Sequence, residues 1–238
     1  MAGRATNDFP VQDIIEWDVR NWSQLLHYWQ PLLEQLPRDS KILAIGERNG
    51  GLSLWLALMG FHVTCTDITD VAASAKPLHE KYGVQDRIKY RLLDIVNDEW
   101  QEGQFDIIIG KSVIGGVKPT RGRSSSRNFE ALEQAMYNIH RLLKPGGYFF
   151  SAENLQGGML NRYMRKKLKG GKGWYYLSLP ELKGLFSPFS LVQIKTFGIL
   201  PTFFSNKVVN VFMYFINRSL QPVVPHSSKY IAFTIARK

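Results

Sequence analysis

Two periods of apolar residues run through this chain. Ile15, Val19, Trp22, Leu26, Trp29, Leu33 and Leu36 recur at steps of three and four, which predicts one helical stripe. Asp13 and Glu16 read as the capping box that opens it, and Pro31 predicts a kink or a division into two helices. Residues 41–45 form a short aliphatic run suited to a strand buried on both faces. The turn GERNGG follows over 46–51, then an apolar helix over 52–59 that stops at Gly60. Further strands are expected over 61–66, 88–92, 105–109 and 148–152. One helix is capped by Asp70 and runs, with Pro77 inside it, to about Gly83. Another spans about 128–143 with Leu132, Ala135, Met136, Ile139 and Leu143 on its buried side, before Pro145-Gly146-Gly147 turns the chain into the fifth strand.

Beyond residue 155 the rhythm changes. Residues 160–174 (LNRYMRKKLKGGKGW) are basic and lead into Tyr175 and Tyr176. Ser178 and Glu181 read as a second capping box, opening a short helix that ends near Phe186. Residues 190–197 alternate like a strand, 205–220 read as a helix, and 230–235 as a last strand. Lys207, Asn210, Tyr214, Asn217 and Arg218 make a narrow polar stripe on that helix, leaving an apolar face broader than one side of a sheet needs. Residues 118–127 (KPTRGRSSSR) hold no apolar residue beyond Pro119 and read as a loop. Seven strands, with helices between the first five, give a doubly wound α/β pattern.

A strand, a glycine turn and a helix start offer a site for a nucleotide-like ligand, because backbone approaches closely and free N–H groups point outward. A dinucleotide is disfavoured: the middle glycine of its fingerprint is replaced by Arg48, which would crowd a pyrophosphate. The turn instead resembles motif I of the class I S-adenosylmethionine-dependent methyltransferases. Gly46 and Gly50 match; Ala44 stands where an acid is usual and Arg48 where a glycine is usual. Three later stretches extend the resemblance: FHVTCTDIT ending in Asp67, RIKYRLLD ending in Asp94, and FDIIIGKSVIGGV followed by the helix–LKPGG–strand segment 132–155.

The resemblance implies a seven-stranded sheet of order 3-2-1-4-5-7-6 with strand seven antiparallel. It implies one domain over 1–238: a helical cap (1–38), a cofactor-binding core (39–155), and a substrate-side insertion with the last two strands (156–238). The cofactor is then S-adenosylmethionine and the product S-adenosylhomocysteine. Gly46, Glu47, Arg48, Gly50, Asp67, Ile68, Asp94, Ile95 and Lys111 are its expected contacts, with Asp67 on the ribose and Asp94 facing the adenine amino group. Trp22, Ser112 and Asn154 are candidates for the acceptor side, and Trp17, Asp18, Arg20 and Asn21 lie within reach of the cofactor mouth. Glu153, at the end of strand five, is the candidate base for a hydroxyl acceptor, or else a structural hydrogen-bonding acid. No metal is expected.

Composition then bounds the setting. The single cysteine, Cys65, allows no internal disulfide and fits a reducing compartment. No apolar leader and no long apolar span appear, so a cytoplasmic place is expected, with the inner face of a membrane as a peripheral alternative. The net charge is +10, and Glu181 is the only acid after residue 154. That asymmetry suits an anionic partner: an acceptor, an acidic lipid surface or a nucleic acid. A small or medium-sized acceptor, anionic or hydrophobic and lipid-linked, methylated on oxygen or nitrogen, is the leading expectation. RNA is the alternative acceptor; against it, no RNA-binding module is recognisable and GKSVIGG stands where an Asn-Pro-Pro-Tyr-like signature would follow strand four. A non-catalytic binding protein of the same fold is the rival from another class, motivated by Ala44 and Arg48.

Overall fold

Strand β1 (Ile42–Ile45) is buried along its whole length, as a β-branched and aliphatic run at the centre of a parallel sheet must be. The computed structural model describes residues 9–118, 129–167 and 174–238, the side chains of 164–167 excepted. Around β1 lie β2 (Val63–Asp67), β3 (Ile88–Leu92), β4 (Phe105–Lys111), β5 (Leu143–Asn154), β6 (Leu191–Phe197) and β7 (Ile231–Arg237). They form one sheet of order β3-β2-β1-β4-β5-β7-β6. The first five are mutually parallel, and β7 runs antiparallel to both β5 and β6. The expected order and the antiparallel seventh strand are both present.

Adjacent residues on β5 point to opposite faces of the sheet and anchor two cores. Phe150 packs 5.8 Å from Trp29 on the side that also holds Trp22, Trp55 and Phe61. Phe149 stacks 5.6 Å from Phe186 on the other side, with the helix α6 (Phe129–Leu142). Helix α4 (Gly51–Leu58) follows the glycine turn, and α5 (Val71–Lys81) starts where Asp70 accepts from the Ala72 N–H at 3.0 Å. Pro77 sits inside α5 without ending it. After β5 come α7 (Met159–Lys167) and α8 (Leu179–Leu185); α8 opens on the expected capping box, with Ser178 and Glu181 bonded reciprocally. The polar stretch 119–127 and Lys169 and Lys172 of the basic segment lie outside the described residues.

The N-terminal stripe departs from its pattern. It divides into α1 (Val11–Ile15), α2 (Val19–Trp22) and α3 (Gln24–Leu33), and the break falls at Glu16 and Asp18, not at Pro31. Both residues take left-handed backbone, φ 68° and 46°. Their carboxylates bond to distant partners, Glu16 to Asn49 and Asp18 to Thr202 and Tyr230. Asp13 is no cap either. It lies inside α1 and accepts from Lys81 Nζ and Tyr82 OH, each at 2.7 Å.

Helix α9 (Lys207–Leu220) turns the expected arrangement inside out. Of the polar stripe, Asn217 is fully buried and Tyr214 half-buried, while Val208, Phe212 and Phe215 face solvent. Asn217 Oδ1 accepts from the N–H groups of Ile199 (3.0 Å) and Leu200 (2.7 Å), and its Nδ2 donates to the Leu200 carbonyl (2.7 Å) and to Asn21 Oδ1 (2.9 Å). The irregular segment 198–202 has no strand neighbour for those backbone groups, so a side-chain amide with two donors and an acceptor supplies them. Asn217→Ala leaves the Ile199 and Leu200 N–H groups without that partner in a part-buried place, while the Leu200 carbonyl keeps Asn21. Chemical denaturation should show a loss of roughly 2–4 kcal/mol, and a change within the noise would remove this account of the helix orientation.

Candidate functional site

In an open α/β sheet the crevice lies beyond the carboxyl ends of the strands. Here a cavity of about 990 Å³ occupies that position. Gly46 follows β1, Asp67 ends β2, Asp94 follows β3, Lys111 ends β4 and Asn154 ends β5, and all five line it. Glu47, Arg48, Ile68, Ile95 and Ser112 line it as well. Gly50, Trp22 and Glu153 are not part of its wall.

The glycine turn is shaped by two left-handed residues. Gly46 has φ +62°, and an added Cβ would come within 2.6 Å of Val113. Gly50 is the left-handed N-cap of α4 at φ +76°, pressed against the His79 ring, so it sets the turn from behind the cavity. Between them Arg48 is exposed, lines the cavity and gives its N–H to Asp67 Oδ2 at 3.0 Å. Asp67 Oδ1 accepts from Thr69 N–H (3.1 Å) and Oγ1 (3.0 Å). A carboxylate offers about four acceptor directions, so the half-exposed Asp67 keeps capacity on the cavity side. Asp94 is likewise half-exposed. It accepts from the N–H groups of Val96 (3.0 Å) and Asn97 (3.3 Å) and from Asn97 Nδ2 (2.7 Å), which stiffens the turn after β3.

Buried charge gathers at the centre of the rim. Glu47 is buried and accepts from the Ser53 N–H at 2.8 Å, closing the turn onto the first turn of α4. Burial raises its carboxyl to about 7, offset in part by that bond and by Lys111. Lys111 donates to the Ile15 carbonyl at 3.2 Å and lies 5.3 Å from the Trp17 ring centre; burial lowers its ammonium, against the pull of Glu16 and Glu47. Among the described residues, four other than glycine take positive φ: Glu16, Asp18, Arg48 and Ser112. Three of them line the cavity, and Asp18 adjoins Trp17 on its wall. Backbone held in such sparsely populated regions clusters where structure serves a site.

The second half of the cavity comes from parts of the chain with no fixed spacing to the glycine turn. Trp174, Tyr176, Pro201 and Phe203 give it an apolar wall, with Asn161 and Tyr230 beside them. Tyr175 N–H donates to the Gly115 carbonyl at 2.7 Å and lays the Trp174 ring across Gly115 and Gly116. On the strand side, Asn154 Nδ2 donates to Ser112 Oγ at 3.0 Å, and both line the cavity. Sequence spacing pointed to Ser112 and Asn154. It did not point to Glu16, Trp174, Tyr176, Phe203 or Tyr230; an aromatic cluster behind a basic segment was the only signal.

Besides Gly50, two candidates sit elsewhere. Glu153 is 1% exposed, and its carboxylate accepts from the N–H groups of Val113 (3.0 Å), Ile114 (2.9 Å) and Gly115 (3.3 Å). It therefore holds the turn after β4 from beneath, which corrects the expectation of a base facing the acceptor. Trp22 is fully buried, with its ring 4.8 Å from Trp17 and 6.4 Å from Phe233, and supports Trp17 from within the core. Of Trp17, Asp18, Arg20 and Asn21, Trp17 alone reaches the cavity. Among the described residues no cluster of His, Cys, Asp and Glu could hold a metal ion.

Residues 43–151 match the model of a family described as a methyltransferase domain. A mouse protein, EEF1A lysine methyltransferase 4, is 26% identical over 159 residues, 60% of this chain and 62% of that protein, so over a third of the relative has no counterpart in the match. Among solved structures, Phospholethanolamine N-methyltransferase 2 of Haemonchus contortus, in complex with phosphomonomethylethanolamine and S-adenosylhomocysteine, is similar at a TM-score of 0.62 and 18% identity, over 91% of this chain and 53% of that one. The [4+2]-cyclase SpnF is similar at 0.62 and 15%, over 91% and 82%. At such identities the two structures speak to fold alone.

Of the three buried acids, Asp18, Glu47 and Glu153, the last two give stability the clearest pH dependence. Burial raises both Glu47 and Glu153 to about 7 from an ordinary value near 4.5. Below pH 4.5 each is protonated in both states; between 4.5 and 7 the folded chain keeps protons that the unfolded chain has lost. Their contribution to stability is therefore full at the acid end and falls as pH rises to about 7. Urea denaturation at pH 5 and pH 7.5 should show this fall, and Glu153→Gln should flatten it. An unchanged slope in that variant would contradict the assignment.

Proposed function

We propose a reaction for this chain from one premise: residues 43–151 are a methyltransferase domain of the class I, S-adenosylmethionine-dependent kind. Bound S-adenosylmethionine supplies an electrophilic methyl group on a sulfonium and leaves as S-adenosylhomocysteine. The strand-end half of the cavity suits it by chemistry. Asp67, with acceptor capacity on the cavity side, holds the ribose hydroxyls, and Asp94 and Ile95 lie beside the base. Glu16 and Lys111 offer opposite charges to the ammonium and carboxylate of the amino-acid end.

The acceptor, in this reading, is a small or medium-sized molecule with an apolar body that presents an oxygen or nitrogen already deprotonated when it reacts. One observation carries this: among the described residues the acceptor half presents no carboxylate and no imidazole to take a proton. Of the acids that line the cavity, Glu47, Asp67 and Asp94 belong to the strand-end half, Glu16 after α1 is bonded to Asn49 of the glycine turn, and no histidine lines it. Beyond residue 154 the only acid is Glu181, engaged with Tyr175 OH at 2.7 Å and the Ser178 N–H at 2.7 Å. The only histidine there, His226, pairs with Thr196 Oγ1 at 2.8 Å. Of the segments outside the described residues, 119–128 and 168–173 contain no Asp, Glu or His in sequence, and 1–8 contains Asp8 alone. Lys118 on the wall favours an acceptor that is anionic when it reacts. The protein's part is then alignment and exclusion of water: aromatic walls close on the apolar body, and the Ser112–Asn154 pair orients the reacting group.

Asp67→Ala should weaken S-adenosylmethionine binding by roughly 1.5–3 kcal/mol, about ten- to a hundredfold, in calorimetry. Unchanged affinity removes Asp67 from the cofactor site. The acceptor reading is tested with methyl-labelled cofactor and a series of apolar phenols and amines of graded pKa. Transfer should rise with the ionised or unprotonated fraction of each acceptor. A single pH profile shared by all acceptors would instead reveal a protein base and overturn the reading.

A further inference from the structure

We infer that α9 lies flat on an anionic lipid bilayer and holds the protein at its surface. The helix carries its amphipathic pattern in reverse. At 100° per residue, Asn217, Asn210 and Tyr214 share one side, and each is bonded inward: Asn217 as described, Asn210 to the Phe204 N–H (2.8 Å) and carbonyl (2.7 Å), Tyr214 to Gln24 Nε2 (2.9 Å). The opposite side holds Val208, Phe212 and Phe215, exposed to 75%, 62% and 63%. Phe203, 55% exposed, and Phe204 stack at 6.1 Å just before the helix and extend the apolar surface. A run of large side chains whose polar side is already spent on the protein has its apolar side left for something else.

Charge selects the occupant. Lys207 and Arg218 are exposed along one edge of the apolar side, near its two ends, and α9 carries no acid. After residue 154 the chain has thirteen Lys and Arg against one acid. An apolar stripe edged by cations is how a helix seats itself at the boundary of headgroups and acyl chains. No helix among the described residues is long and apolar enough to cross a membrane. Nor is α9 a lid: none of its residues lines the cavity, whereas Phe203 belongs both to the cavity wall and to the exposed apolar surface. Docking on α9 would thus turn that edge of the cavity towards the lipid. The inference does not depend on the reaction proposed above.

The test is co-sedimentation of the full chain with phosphatidylcholine vesicles, with and without phosphatidylglycerol, at low and high salt (about 25 mM and 0.5 M). The wild type should pellet with the anionic vesicles at low salt and be largely released at high salt. The double variant Phe212→Ser, Phe215→Ser should bind at least about tenfold more weakly, with an unchanged melting curve and cofactor affinity to show an intact fold. A wild type that stays in the supernatant with anionic vesicles at low salt overturns the proposal. So does a double variant that binds like the wild type, which would assign binding to basic segments elsewhere. Light scattering that shows a dimer, lost in the double variant, would give the face to a second copy of the chain and equally overturn it.

Discussion

A carboxylate shut away from water must find its partners in the protein, and Asp18 finds them in distant parts of the chain. It accepts from Thr202 N–H and Oγ1 (2.8 and 2.6 Å), from Asn21 Nδ2 (3.2 Å) and from Tyr230 OH. Asn21 in turn donates to Tyr230 OH (2.7 Å) and the Leu200 carbonyl (2.9 Å) and accepts from Asn217. Desolvation raises the carboxyl of Asp18 while these bonds pull the other way. A buried network of this kind is favourable only when complete. Its completeness ties the N-terminal cap, the segment before α9, α9 itself and the start of β7 into one body. The left-handed backbone at Asp18, the division of the first helical stripe and the outward apolar face of α9 are all consequences.

The cavity inherits its two halves from two kinds of constraint. Parallel pairing brings the carboxyl ends of β1 to β5 to one edge, so the strand-end half follows from sheet geometry and the glycine turn. The other half is assembled by the buried network and by Trp174 lying across Gly115 and Gly116. Fold fixes where a ligand sits; the grafted half decides which one, and that is why a likeness in fold to a [4+2]-cyclase and to an N-methyltransferase names no acceptor.

Where sequence and structure agree, the information was local. The third strand runs from Ile88 to Leu92, and Asp70 and Ser178 cap the helices they precede, because a strand's alternation and a cap's side-chain bond involve neighbours within a few residues. Gly46, Asp67, Asp94, Ser112 and Asn154 reach the cavity because strand ends are set by topology. Long-range partners were not legible. Nothing near Asp13 announces Lys81, nothing near Asp18 announces Thr202, and the polar stripe of α9 reads as a solvent face until Ile199 and Leu200 are seen to need it. Glu153 illustrates the same point: an acid at a strand end looks poised for chemistry, and three backbone N–H groups forty residues earlier in the chain claim it.

The central claim is that the strand-end rim, and no other surface, receives the cofactor. Hydrogen–deuterium exchange with and without S-adenosylhomocysteine tests it most directly. The account predicts slowed exchange over residues 46–52, 67–69 and 94–97, where backbone N–H groups frame the cavity, with α9 unchanged. Absence of any protection at saturating ligand, or protection confined to segments away from that rim, would contradict it.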